Sequence, residues 1–311
     1  MLNLQDKKIL LTGGSGFLGK HVLRYLEHLG VDPAQVRIPR SQTHDLRQWS
    51  VCQDVVADQE VVIHLAAHVG GIGLNQAKPA ELFYDNLIMG SQLIHAAYCA
   101  GVEKFVCVGT ICAYPKFTPV PFQEADLWEG YPEETNAPYG IAKKALLVQL
   151  QSYRQQYGFN GIYLLPVNLY GPMDNFDPQS SHVIPALIRK VHEAQRQHQP
   201  FIEVWGDGSP TREFFFSEDC ARGIVQATQY YQTGDPLNLG TGEEISIKNL
   251  IELICELMDF AGEIRWQTDK PNGQPRRCLD VSKAKTAFGF AAKVTLREGL
   301  ERTIAWYRAV A

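Results

Sequence analysis

The chain has 311 residues, 45% hydrophobic and 20% charged, so it can bury a large core and divide into two parts. A formal net charge of -5 without any lysine or arginine run offers no basic field for nucleic acid, and no apolar stretch is long enough to span a bilayer. The seven cysteines are odd in number and scattered, with no Cys-x-x-Cys pair or His/Cys cluster to suggest a metal site; with no secretory apolar region at the start, a cytoplasmic protein is expected.

Ile9-Leu10-Leu11 reads as a buried strand entering the turn Gly13-x-x-Gly16-x-x-Gly19, and the helix after it carries Val22, Leu23, Leu26 and Leu29 on one side. Further strands are expected at Val36-Arg37-Ile38 and at Val61-Val62-Ile63-His64-Leu65, the latter followed by the small residues Ala66-Ala67. Two more follow at Phe105-Val106-Cys107-Val108 and Gly161-Ile162-Tyr163-Leu164-Leu165, separated by a helix that holds Tyr139 and Lys143. Alternating apolar runs and helical patterns are the mark of βαβ units. The fold expected is α/β, a Rossmann-type doubly wound parallel sheet.

After Pro166 the texture changes. Asn168-Leu169-Tyr170-Gly171-Pro172 is rich in turn residues, a helical stretch covers 183–198, and Val204-Trp205-Gly206-Asp207-Gly208 opens a loop towards Arg212-Glu213-Phe214. Residues 214–242 look like a return to the main domain, ending in the strand Leu237-Asn238-Leu239, and two helices are expected over 247–260 and 296–309. The organisation expected is a cofactor domain of 1–169 with 214–242, and a smaller, discontinuous substrate domain of 170–213 with 243–311.

Gly13, Gly16 and Gly19, with Phe17 and Leu18 between them, let backbone amides approach a pyrophosphate at a helix N-terminus; the alternative is a turn with close helix–strand packing. An NAD site places a carboxylate at the end of the second strand, but Arg37-Ile38-Pro39-Arg40-Ser41 has none before Asp45. Arg40 suits a 2′-phosphate, which favours NADP(H), or is a solvated surface arginine. Tyr139 and Lys143, four apart, share a helix face, and a nearby cation is expected to lower a phenol pKa that starts at roughly 10. Thr110-Ile111-Cys112 is expected to extend the fourth strand, so that Thr110 and Cys112 point the same way into the site. By residue type alone Cys112 is more often a small buried hydrophobe, and His182 is equally a capping or core residue. Gly70-Gly71 leaves room for a sugar, or is a tight loop.

The blocks at 109–116 (GTICAYPK), 136–143 (NAPYGIAK), 168–176 (NLYGPMDNF), 181–187 (SHVIPAL) and 205–214 (WGDGSPTREF) resemble the GDP-L-fucose synthase family, in the extended short-chain dehydrogenase/reductase superfamily. The resemblance runs from the glycine loop to the C-terminal region. It implies epimerisation of GDP-4-keto-6-deoxy-D-mannose at carbons 3 and 5, then NADPH-dependent reduction at carbon 4. Cys112 and His182 are the implied acid/base pair, with reference pKa values of roughly 8.5 and 6.5, close enough to neutrality to exchange protons both ways. Thr110 is implied to hold the carbon-4 oxygen, Tyr139 to protonate it, and Lys143 to bind the nicotinamide ribose. Leu65, Ala66, Ala67, Pro166, Asn168 and His182 complete the implied cofactor contacts. Asn168, Lys190, Trp205, Arg212 and Arg277 are the implied substrate contacts, and a homodimer is the implied assembly.

This chain departs from the family with Thr110 where serine is more usual, and Lys190 where arginine is. Another keto-sugar nucleotide, such as a GDP-heptose or a colitose-type precursor, is the nearest alternative substrate. A 4,6-dehydratase would have an Asp-Glu pair where Ile111-Cys112 stands, and a 4-epimerase with captive NAD has no use for Cys112 and His182. A non-catalytic NADP-binding protein has no use for the Thr110/Tyr139/Lys143 set.

Overall fold

The computed structural model describes residues 1–178, 180–270, 272 and 274–311. It opens with β1 (Ile9–Thr12), α1 (Phe17–His28), β2 (Val36–Arg37), α2 (Trp49–Val56) and β3 (Val61–His64). α3 (Ile72–Ala77), α4 (Pro79–Cys99), β4 (Lys104–Val108), α5 (Ala137–Tyr157) and β5 (Gly161–Pro166) follow. Next come β6 (Asn168–Tyr170), α6 (Val183–Arg196), β7 (Phe201–Trp205), β8 (Thr211–Phe216), α7 (Ser217–Tyr230) and β9 (Leu237–Leu239). The chain ends with β10 (Glu244–Ser246), α8 (Ile247–Leu257), β11 (Glu263–Gln267), β12 (Arg276–Arg277), α9 (Ser282–Phe288) and α10 (Leu296–Val310).

Six strands form one parallel sheet in the order β2-β1-β3-β4-β5-β9, in register from Ile9↔Val36 and Ile9↔Val61 across to Leu164↔Leu237. β1, β3, β4 and β5 are buried along their whole lengths, as a parallel sheet covered on both faces requires. The strand order reverses between β1 and β3, and the crevice at their carboxyl ends is where such sheets take ligands. A first core, including Leu10, Ile63, Val106, Ile162, Ile224 and Leu239, surrounds this sheet.

A second assembly stands beyond β5. β8 pairs with β10 antiparallel and with β12 and β6 in parallel, while β7 and β11 form a separate parallel pair. Its core joins Ile188 and Val191 of α6, Ile251 and Ile254 of α8, and Leu300 and Ile304 of α10. Ser246 and Thr295 cap α8 and α10 by accepting from Asn249 and Glu298 N–H groups. No helix among the described residues is long and apolar enough to cross a membrane.

Some expected bounds differ. β2 stops at Arg37 and β3 at His64, so Ile38 and Leu65 lie in the connections. Val204 and Trp205 end β7 rather than open a loop; the alternation of buried Ile202 and Val204 with exposed Glu203 and Trp205 marks a half-buried strand. The larger correction is at Ile111–Ala113, which is a 3₁₀ turn and not an extension of β4. Thr110 is its N-cap: the hydroxyl accepts from the Cys112 N–H at 3.2 Å and turns the chain away from the strand direction.

Candidate active site

The glycine turn joins β1 to α1 at the strand-order reversal. Gly13 has φ +73, and a β-carbon there would sit 2.8 Å from the Ala66 backbone nitrogen, so only glycine brings this turn against the end of β3. Leu65 N–H donates to the Thr12 carbonyl at 3.1 Å, and Ala66 N–H to the Thr12 hydroxyl at 3.3 Å. Gly13 therefore lies directly against Leu65 and Ala66 at the carboxyl end of β3. α1 starts at Gly16 with no side-chain cap and no acidic residue in its first turn, which leaves the first-turn amides of Phe17, Leu18 and Gly19 with a positive dipole end.

The Ile38 side chain packs on Gly14, which places the end of β2 beside the same turn. Arg40 follows at the surface; its carbonyl accepts from Thr43 and His44 N–H groups, and its guanidinium has no hydrogen bond or ion pair among the described residues.

His64, under the crevice, shares a 2.8 Å hydrogen bond between Nδ1 and the Thr12 hydroxyl. Burial, and then the charge of Lys143, push its pKa down to about 3. The unfolded chain binds this proton near pH 6.5 and the folded chain does not, so stability is complete above about 6.5 and falls as pH drops towards 3. The loss should approach about 1.4 kcal/mol per pH unit. A urea midpoint lower at pH 5.5 than at pH 7.5 is expected for the intact chain, and His64→Gln should flatten the difference; an equal slope in both proteins contradicts it.

Tyr139 and Lys143 stand on α5, 8% and 2% exposed. Gly140 between them leaves no room for a β-carbon, which would strike the Cys112 carbonyl; the close approach seats the Cys112 turn on the Tyr139 helix. The Thr110 hydroxyl lies beside the Tyr139 phenol. The expected lowering of the phenol pKa does not occur. Burial raises it, the neighbouring Cys112 adds to the rise, and the nearby Thr110 hydroxyl opposes them only in part. Burial also lowers the Lys143 pKa, which weakens the cation that was to favour the phenolate. The phenol is thus held protonated, the form that can give a proton. The Lys143 ammonium has no hydrogen-bond partner among the described residues, which leaves its donors available to ribose hydroxyls.

Cys112 is half-buried, and the Arg277 Nη1 donates to its sulfur at 3.8 Å. Arg277 stands opposite Arg212 in the β12–β8 register. Burial and then the Arg277 charge lower the Arg212 pKa to about 10, against the opposing influence of Cys112. Phenol, thiol and two guanidinium groups converge here. Glu213, the neighbour of Arg212, is fully buried and accepts from Thr241, Gly242 and Leu279 N–H groups, joining β8 to both flanking segments. Sequence reasoning did not assign Glu213 this role, although a glutamate inside an apolar strand was a visible signal.

His182 is the N-terminal flanking residue of α6, without a side-chain cap bond. By area it is exposed, yet enough protein surrounds it that desolvation lowers its imidazole pKa, as at the wall of an open cleft. Its segment docks on the loop after β3, where Gly71 N–H donates to the Ser180 carbonyl at 3.3 Å. No hydrogen bond or ion pair joins His182 to Thr110, Cys112 or Tyr139 among the described residues. Pro166 is buried at the end of β5, and the Asn168 side chain donates to the Glu213 carbonyl at 2.9 Å, a sheet-edge bond. Lys190 lies apart, donating to the Glu203 carbonyl at 2.8 Å with its pKa lowered by burial, and Trp205 is 62% exposed on the same strand.

The profile of the NAD dependent epimerase/dehydratase family matches residues 9–240. A GDP-L-fucose synthase of Sinorhizobium fredii is 40% identical over 97% of this chain and 96% of its own length. Among solved structures, a GDP-L-fucose synthetase from Naegleria fowleri bound to NADP superposes with a TM-score of 0.88 at 27% identity, covering 99% of this chain and 96% of that one. A GDP-6-OMe-4-keto-L-xylo-heptose reductase from C. jejuni gives a TM-score of 0.91 at 27% identity, covering 99% of both chains.

Proposed function

We propose a function from one premise: the chain belongs to the NAD dependent epimerase/dehydratase family and, within it, to the GDP-L-fucose synthases. It converts GDP-4-keto-6-deoxy-D-mannose into GDP-L-fucose by inverting carbons 3 and 5 and reducing the 4-keto group. The observation that carries this reading is the approach of Arg277 to the Cys112 sulfur, beside the Thr110–Tyr139 pair. A reductase alone needs Thr110, Tyr139 and Lys143; a thiol among the diphosphate-binding arginines adds a group that moves protons at carbon.

The ketone makes the hydrogens on carbons 3 and 5 acidic. Cys112 and His182 take a proton from one face and return one to the other. Thr110 holds the carbon-4 oxygen while negative charge collects on it, and Tyr139 protonates it in the last step. Arg212 and Arg277 bind the diphosphate, Asn168 and Lys190 help to orient the sugar nucleotide, and Trp205 lies near the guanine. The cofactor is NADP(H), held by the glycine turn with Phe17 and Leu18, by Leu65–Ala67, Pro166, Asn168 and His182, by Lys143 at the ribose and by Arg40 at the 2′-phosphate. When bound, it supplies the hydride that turns the carbonyl into an alcohol.

The two parts work as a cofactor domain (1–169 with 214–242) and a sugar-nucleotide domain (170–213 with 243–311), although Leu279, Ala284 and Phe290 pack into the first core. The working assembly is a homodimer, and the compartment is the cytoplasm.

Arg40→Ala should raise the KM for NADPH about 10- to 100-fold, the value of a hydrogen-bonded charge, and leave the KM for NADH unchanged. Equal changes for both coenzymes would remove Arg40 from the 2′-phosphate site. The substrate is tested by following nicotinamide absorbance with GDP-4-keto-6-deoxy-D-mannose and with GDP-4-keto-heptoses. Oxidation is expected with the first; turnover of heptoses alone would move the chain to the chemistry of the C. jejuni neighbour.

A further inference from the structure

We propose that Gln274 is a positioning residue that ties the Cys112 loop to the strand of Arg277 and so sets the Arg277 guanidinium against the Cys112 sulfur. This rests on the reading of Cys112 and Arg277 as site residues. Gln274 is 8% exposed, so its amide must find its partners within the protein. Its Nε2 donates to the Lys116 carbonyl at 2.7 Å, and its Oε1 accepts from Arg277 Nε at 2.6 Å. One terminal arm of the same guanidinium, Nη1, reaches the Cys112 sulfur at 3.8 Å.

A closed circuit results, from Cys112 along the main chain to Lys116, across to Gln274, on to Arg277 and back to the sulfur. Lys116 is itself held, its N–H donating to the Tyr131 carbonyl at 2.9 Å and its ammonium paired with Glu134. The bridge therefore ends on a fixed point. Arg277 faces the like charge of Arg212, which would push a freely rotating guanidinium out of place. An amide oxygen supplies an acceptor that holds Arg277 without neutralising it. A carboxylate there would consume the charge that the sulfur and a diphosphate both need. Alkylation develops its charge at the sulfur, so its rate reports whether the Arg277 donor is held there.

The test compares Gln274→Leu, the unbranched Gln274→Met, Arg277→Gln and the double variant Gln274→Leu/Arg277→Gln in the full chain. The first readout is iodoacetamide alkylation of Cys112 in the free enzyme, resolved by peptide mass spectrometry, with the exposed Cys99 as internal reference. Each single variant should slow Cys112 alkylation by about tenfold relative to Cys99, and the double variant no further, because Gln274 acts through Arg277. Unchanged alkylation in both Gln274 variants, or losses that multiply in the double variant, would overturn the proposal. No sugar enters this measurement, so it judges Gln274 even if the substrate assignment fails. With substrate present, slower solvent-deuterium entry at an unchanged KM for NADPH is expected. A lower Tm with unchanged deuterium entry would make Gln274 merely structural.

Discussion

Tyr139→Phe should abolish reduction while leaving proton exchange at carbons 3 and 5 intact. The phenol is buried, kept protonated by its surroundings and set beside Thr110, which makes it a ready proton donor at the position assigned to the carbon-4 oxygen. Loss of a positioned acid costs about 10²- to 10⁴-fold, so NADPH oxidation should slow by that factor. The ring volume is kept and Gly140 still seats the Cys112 turn, so the fold has no reason to change. Exchange needs only the thiol, the imidazole and an acidified carbon. Stopped-flow absorbance gives the first rate, and mass spectrometry of substrate incubated in deuterium oxide gives the second. If both rates collapse together, the division between Tyr139 and the Cys112/His182 pair is wrong.

Cys112→Ser should have the opposite profile. A serine hydroxyl fills nearly the same space but has a far higher pKa than a thiol, so it cannot take up and return protons near neutrality. Deuterium entry at carbons 3 and 5 should slow by about 10²- to 10⁴-fold, again the cost of losing a positioned acid/base group. The Thr110 cap and the packing on Gly140 involve the Cys112 backbone, not its sulfur, and survive the change. Tm and NADPH affinity should therefore hold. An unchanged exchange rate would leave Cys112 as a half-buried bystander and remove the epimerase half of the mechanism.

What could be read in the sequence was whatever depends on short spacing. Gly13, Gly16 and Gly19 act within one turn, and Tyr139 with Lys143 within one helical turn, so residue type and interval were enough. The helix α4 was given no bounds: its buried Leu82, Asn86, Leu93 and Ile94 share one face, but the apolar Tyr84, Leu87 and Ile88 outside that face blur the stripe. Thr110 and Cys112 were placed together for the wrong reason. An extended strand was expected, whereas a threonine-capped 3₁₀ turn brings them into the site, and threonine's preference for capping was the signal that went unused.

The phenol pKa was misjudged because spacing reveals a neighbouring charge but not burial, and here burial prevails. The contact of Arg277 with Cys112 spans 165 positions and the bridge from Gln274 to Lys116 spans 158, and no periodicity reports such pairings. Family resemblance named Cys112, His182 and Arg277 as members of one site. Only the chain's three-dimensional course relates the sulfur to the guanidinium.

The most direct test is proton NMR of the product formed from GDP-4-keto-6-deoxy-D-mannose and NADPH in deuterium oxide. A 6-deoxy sugar of L-galacto configuration, with deuterium at both carbon 3 and carbon 5, is the expected result. A product reduced at carbon 4 that keeps protium and the original configuration at both carbons would contradict it.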